Sequence, residues 1–241
     1  MKISVCIPMY NENAVIAQTA RTLSAYMEAL FDDYEVIFCD DGSRDECGKT
    51  VEALGLPNVQ VIRYEVNRGK GYAVRTAMLH ATGDIRMFTD ADLAYGTDVI
   101  KRIADVFAKN EDADLVIGSR NITKDGYEGY SFIRRIVSKV YIRVLCLAGG
   151  FRLSDSQCGC KAYKQEAAKR IFERCKVDGF AFDFESILWA QKFNYKIVEL
   201  PVKIVNHRES TVNVVRDTFK MLGDLHKMKK RIKKESKELA V

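Results

Sequence analysis

An α/β domain built on a mixed, mostly parallel sheet flanked by helices is the fold this sequence predicts, and three observations predict it. Short apolar runs alternate with helix-period segments over the first half of the chain. The runs are rich in Val and Ile and are bounded by Asp, Gly, Asn or Pro, as strands are. Residues that carry chemistry follow the runs directly, where open parallel sheets gather their ligands.

Taken in order, Ile3-Ser4-Val5-Cys6-Ile7 is a strand ended by Pro8. Asn13 to Phe31 has helical spacing, with Val15, Ile16, Leu23, Met27 and Leu30 available for a buried face. Val36 to Cys39 is a second strand, stopped by Asp40-Asp41-Gly42-Ser43. A helix over 45–54, a strand over 59–62, a helix over 69–81 and a strand over 85–88 follow, then a helix over 98–109 and a strand over 115–118. This alternation implies right-handed βαβ units in a Rossmann-like order. No GxGxxG fingerprint is present, so nicotinamide binding is not expected. Beyond it, Gly126 to Gly129 is a polar loop, and Ser131 to Leu147 is an amphipathic helix. Ile133, Ile136, Val137, Val140, Val144 and Leu147 form one of its faces, and Arg135, Lys139 and Arg143 another. Helices over 183–192 and 214–237 complete the reading.

Composition narrows the function classes. With 241 residues and 47% hydrophobic content, the chain can bury one large core. No apolar run approaches the roughly 18 residues of a membrane span. Met1-Lys2 leads straight into a strand, without the pattern of an export signal. The seven scattered cysteines therefore read as reduced cytosolic thiols, and Cys158-Gly159-Cys160 lacks a second ligand pair at zinc spacing. Residues 220–238 hold eight basic and three acidic residues, a surplus equal to the whole net charge of +5. A neutral body with a basic tail does not predict nucleic-acid binding.

Phe88-Thr89-Asp90-Ala91-Asp92 is the most informative segment. Residues i and i+2 of an extended chain share a side, so both carboxylates can converge beyond the strand. Two hard oxygen donors suit Mg²⁺ or Mn²⁺ held against a diphosphate; the same pair also suits a capped turn. Three other loops share that edge: Pro8 to Glu12, Asp40 to Asp45, and Asn67 to Tyr72 with its Gly69-Lys70-Gly71. The Asp40 to Ser43 stretch also fits an ordinary βα turn.

PxYNE, DDGSxD, NxGKG and DADL, in that order, resemble a family 2 glycosyltransferase of the GT-A fold. Gly118-Ser119-Arg120, Asp155 to Lys161, Phe182 to Glu185 and Glu199 to Val202 resemble its polyprenyl- and dolichyl-phosphate hexosyltransferase group, over residues 3–222. The resemblance implies a GT-A domain over 1–212, with a nucleotide-binding half (1–120) and an acceptor and sugar half (121–212), and a basic helical extension over 213–241. By position it implies Pro8, Tyr10, Glu12 and Asp40 for the nucleoside, and Lys70, Gly71 and Ala91 beside the nucleotide. Asp90 and Asp92 would hold the metal and diphosphate, and Arg120 would face sugar and phosphate. Arg134 and Ser138 match the acceptor-phosphate positions, Arg208 and Ser210 the closing loop, and Asp155, Gln157, Asp183 and Glu185 the sugar end. Ala94 stands where the mannose synthases of the group tend to carry Gln, which moves UDP-glucose ahead of GDP-mannose as donor.

The acceptor such a resemblance implies is a lipid phosphate. A phosphate monoester has a second pKa of about 6 and is already mostly dianionic. It needs positioning by Arg134, Arg120 and Arg208 rather than a base. A polysaccharide or protein hydroxyl acceptor would instead need a carboxylate base, with Asp155 or Asp183 as candidates. A non-catalytic nucleotide-sugar-binding membrane scaffold is the alternative of another class. The 131–147 helix and basic tail suit an anionic membrane surface. The expected location is cytoplasmic and peripheral, with a second copy or a membrane protein as further partner.

Overall fold

The computed structural model describes residues 1–130, 132–206 and 214–238; the side chains at 133, 134, 214–221, 237 and 238 are outside the description. The elements run β1 (Ile3–Met9), α1 (Asn13–Leu30), β2 (Tyr34–Asp41), α2 (Cys47–Glu52), β3 (Val59–Tyr64), α3 (Lys70–His80), β4 (Ile85–Phe88), α4 (Asp98–Lys109) and β5 (Leu115–Ser119). They continue as α5 (Phe132–Gly149), β6 (Lys161–Lys164), α6 (Gln165–Phe172), α7 (Phe182–Lys192), β7 (Ile197–Pro201) and α8 (Val214–Glu238).

Among the described residues these strands form one seven-stranded sheet in the order β3-β2-β1-β4-β6-β5-β7. Neighbours are parallel except at β6, which is antiparallel to both β4 and β5. The reversal has a simple cause. The connection through α5 returns to the edge where β5 ended, so the next strand must run backwards. Lys161 thereby pairs with Phe88 and Ile117, which brings the 155–161 segment to the edge that carries Asp90. β6 and α6 lie outside the elements that the periodicity predicts, and the 199–202 motif overlaps a strand, β7, that it does not predict. Pro8 ends no strand: β1 runs on to Met9. Because β4 pairs only with Ile3 to Cys6, Pro8 lies past that ladder, where its missing N–H is tolerated.

Helical periodicity determines the packing. α1 buries Ile16, Ala20, Leu23 and Met27, and α4 buries Val99, Ile100, Ile103, Ala104 and Phe107. α8 buries Leu225, Met228 and Ile232 where it packs on α5 and α7. Each of these side chains larger than alanine contributes roughly 1.5–3 kcal/mol by leaving water. α7 is buried nearly all round, from Phe182 to Ala190, and Trp189 belongs to the core.

α5 behaves differently. Its inward residues are Ile142, Leu145 and Cys146, while Phe132, Ile136, Val137, Val140, Val144 and Leu147 stand exposed. Lys139 and Arg143 are exposed beside that stripe. Among the described residues, no helix is long and apolar enough to cross a membrane.

Candidate active site

The loops after β1 and β2 are bonded to one another. Asn11 takes a left-handed backbone (φ 54°), and its N–H donates to Ser43 Oγ at 2.9 Å. The Arg44 N–H returns a bond to Asn11 Oδ1, and the Asn13 N–H donates to Asp45 Oδ2. Pro8 is buried in β1, Tyr10 is exposed at its end, and Glu12 is half-buried just before α1. Asp40 is buried, one oxygen accepting from the Ser43 N–H at 2.9 Å, so the turn-forming role of this segment is realised. Its other oxygen lies against Gly48, where a Cβ would collide with it.

Asp41, to which the sequence assigned no role, organises the neighbouring loop. Its carboxylate accepts from Tyr64 Oη, Asn67 Nδ2 and the N–H groups of Arg68 and Gly69, at 2.7–2.9 Å. From the other side the Asp178 carbonyl accepts from the N–H groups of Gly71 and Tyr72. Gly69 has φ 106°, and a Cβ on Gly71 would meet the backbone of 177–179, so both glycines are sterically required. The loop delivers Lys70.

Lys70 Nζ lies 2.5 Å from Asp90 Oδ1. Burial alone would lower the Lys70 pKa, but Asp90, with Asp183 and Asp92 nearby, outweighs it and raises the pKa. Gly159 makes room for the Asp90 carboxylate, since a Cβ there would overlap it. Asp92 Oδ1 accepts from the Ala94 N–H at 3.0 Å, and Thr19 Oγ1 donates to the Ala91 carbonyl at 2.6 Å. Behind them, buried Lys161 bonds Asp183 and donates to the Cys158 carbonyl. Burial pushes the Asp183 pKa up, against the pull of Lys161 and Lys70. The Lys70 ammonium thus faces Asp90, with Asp92 and Asp183 nearby, and the Lys161 ammonium faces Asp183. Lys161 carried no role in the sequence reading, because a fully buried lysine resembles an exposed one on paper.

Arg120 follows β5 and is gripped by Asp155 through Nε (2.7 Å) and Nη2 (3.0 Å). Asp155 is wholly buried and also accepts from the Gln157 N–H. It therefore does not line an open sugar end, and it reaches the site only through Arg120. Glu199 of β7 accepts from Ser154 N–H and Oγ, and fixes the segment that carries Asp155. Gln157 is half-buried beside it.

Glu185 also departs from its expected place. Two residues beyond Asp183 on a helix, it points to another side. It is fully buried and accepts from the N–H groups of Lys176 and Val177 and from Arg231 of α8. Ser138 is half-buried on α5. The Arg134 side chain, Arg208 and Ser210 lie outside the described residues. The chain leading to the last two is tied to the site, because Asn206 Nδ2 donates to the Asp92 and Leu93 carbonyls.

Comparison with known proteins agrees with this geometry. Residues 4–172 match the profile described as "Glycosyl transferase family 2". The chain is 31% identical to the dolichyl-phosphate beta-glucosyltransferase of Dictyostelium discoideum, covering 92% of this chain and 72% of that protein. It is 28% identical, with the same coverages, to the protein of that name from Saccharomyces cerevisiae. Glucosyl-3-phosphoglycerate synthase from Mycobacterium tuberculosis, solved with Mn²⁺, UDP and phosphoglyceric acid, superimposes with a TM-score of 0.68 at 21% identity, over 94% of this chain and 76% of that one. That last likeness is one of fold, and it is the GT-A fold. With a profile match over more than half its length and the loaded loops on one sheet edge, the chain belongs to glycosyl transferase family 2.

Proposed function

We propose that this chain moves a hexose, glucose ahead of mannose, from a nucleotide sugar to a polyprenyl or dolichyl phosphate, inverting the anomeric centre. The pairing of carboxylates at the edge carries the reading. Asp155 is held by Arg120, and Asp183 by Lys161. A hydroxyl acceptor needs a carboxylate free to take its proton, and these two were the candidates. A phosphate acceptor needs only positioning and charge compensation. The names of the relatives and Ala94 support glucose and a dolichyl acceptor.

In this reading Pro8, Tyr10, Glu12 and Asp40 hold the nucleoside, and Lys70, Gly71 and the Ala91 backbone lie along the diphosphate. Arg120, fixed by Asp155, presents stationary positive charge towards sugar and phosphate, which is worth most in a preorganised site. Arg134, Ser138, Arg208 and Ser210 serve the acceptor. Mg²⁺ or Mn²⁺ would fit Asp90 and Asp92, which offer hard oxygens, and Asp90 already holds a cation, the Lys70 ammonium. Such an ion, when bound, neutralises the leaving diphosphate.

The exposed stripe of α5, flanked by Lys139 and Arg143, suits reversible attachment to the cytoplasmic face of an anionic membrane. Each valine kept out of the bilayer forfeits about 1.5 kcal/mol. V137D/V140D is therefore expected to lower co-flotation with acidic vesicles about tenfold or more; unchanged flotation removes α5 from the interface. The reaction is tested with labelled UDP-glucose, Mn²⁺ and dolichyl phosphate in detergent. Label should enter a chloroform-soluble, mild-acid-labile product; donor hydrolysis without lipid labelling would favour a hydroxyl acceptor, and donor binding with neither hydrolysis nor transfer the scaffold reading.

A further inference from the structure

A second cationic surface lies apart from the transfer site. Where α5 ends, Ala148 and Gly149 face α7 and α8 across an open cleft of about 770 Å³. Its floor is apolar, formed by Leu188, Leu222, Leu225 and Ile232. Its rim carries Lys192, His226, Lys229, Lys230 and Lys233, and no carboxylate lines it among the described residues.

That segregation is written into α8. At 3.6 residues per turn, positions 222, 226, 229 and 233 share one flank, with 230 beside them. Asp224 and Glu235 fall about half a turn away by the same geometry. On that opposite flank Arg231 pairs with Glu185, and Glu235 with Lys176. Of the rim cations, Lys229 donates to the Ala148 carbonyl at the cleft's edge. Lysines gathered over leucines, with the acids sorted to the far side, match a ligand that is anionic at one end and apolar at the other.

The ligand is not the acceptor at its reacting position. α7 begins beside Lys70 and Asp90 with Asp183 and reaches the cleft at Lys192, nine residues on. At 1.5 Å per residue the two ends stand about 13 Å apart, beyond the span of one phosphate. The cleft opens instead next to Leu147, the last exposed residue of the α5 stripe.

We propose that the cleft seats one acidic membrane phospholipid, its phosphate among the lysines and its first acyl carbons over the leucines. The proposal rests on the membrane-facing reading of α5. A bound lipid would fix how the enzyme lies on the surface from which it takes its acceptor.

Titration calorimetry of the full chain with short-chain lipids below their micellar concentration tests this without a bilayer. Dihexanoylphosphatidylglycerol is expected to bind one-to-one, at least tenfold more tightly than dihexanoylphosphatidylcholine or inorganic phosphate. K230E/K233E, which alters exposed side chains only, should weaken it tenfold or more and leave binding of UDP-glucose with Mn²⁺ unchanged. Equal binding of the two lipids, phosphate matching the acidic lipid, or an indifferent K230E/K233E would each overturn the proposal. V137D/V140D should keep the short-chain lipid site while losing vesicle flotation, so the cleft and the α5 reading fail separately.

Discussion

Replacing Asp90 with asparagine is expected to lower turnover about 10²–10³-fold, the usual cost of removing one preorganised charge from a transfer site. The substitution keeps the shape that Gly159 accommodates and removes only the charge. Lys70 then faces a neutral amide in place of the carboxylate 2.5 Å from its ammonium, and the Asp90–Asp92 pair loses one of the two anionic groups that suit it to a divalent cation. Binding of Mn²⁺ in the presence of UDP, followed by electron paramagnetic resonance, should weaken at least tenfold. Because the pair is partly open to water, stability should change little. Turnover within threefold of the parent enzyme would remove Asp90 from the site.

The second large effect is expected of Asp155, whose carboxylate grips Arg120. Asp155→Ala leaves a mostly covered guanidinium without its carboxylate, and breaking such a pair costs about 3–5 kcal/mol. Turnover should fall roughly 10–100-fold as well, as for other residues that orient a site group. The double variant R120M/D155L separates the two losses. With both charges gone it should recover most of the urea midpoint and none of the turnover. Recovery of both would make the pair purely structural.

Much of this site was legible because it is local. The β4 run and the two aspartates after it lie within eight residues, although the chain does not stay extended as the period-two reading expects: β4 stops at Phe88, and the Leu93 N–H donates to the Asp90 carbonyl in a turn. The loops at Tyr10, Asp40 and Gly69 are likewise local. What was not legible depends on long-range placement. β6 is four residues long and flanked by lysines, too short for a pattern, and it exists because a crossover returns to the wrong edge for another parallel strand. Lys161 and Asp183 are 22 residues apart, and nothing in either segment announces a buried ion pair. Asp183 and Glu185 look like one motif in the sequence, yet the helix turns one towards Lys70 and the other towards Arg231. The stripe on α5 was visible, but which face turns inward is decided by Ile142 and Leu145 meeting the core.

The short stretch from Lys176 to Gly179 belongs to two parts of the molecule at once. On one side its amides hang from Glu185, which also grips Arg231, while Lys176 itself holds Glu235. On the other, its carbonyl at Asp178 takes the first amides of α3, and its backbone fills the space that Gly71 leaves empty. The basic helix and the loop that presents Lys70 thus lean on one strut. α8 is accordingly no appendage; it is one of the two abutments between which the loop that carries Lys70 is held.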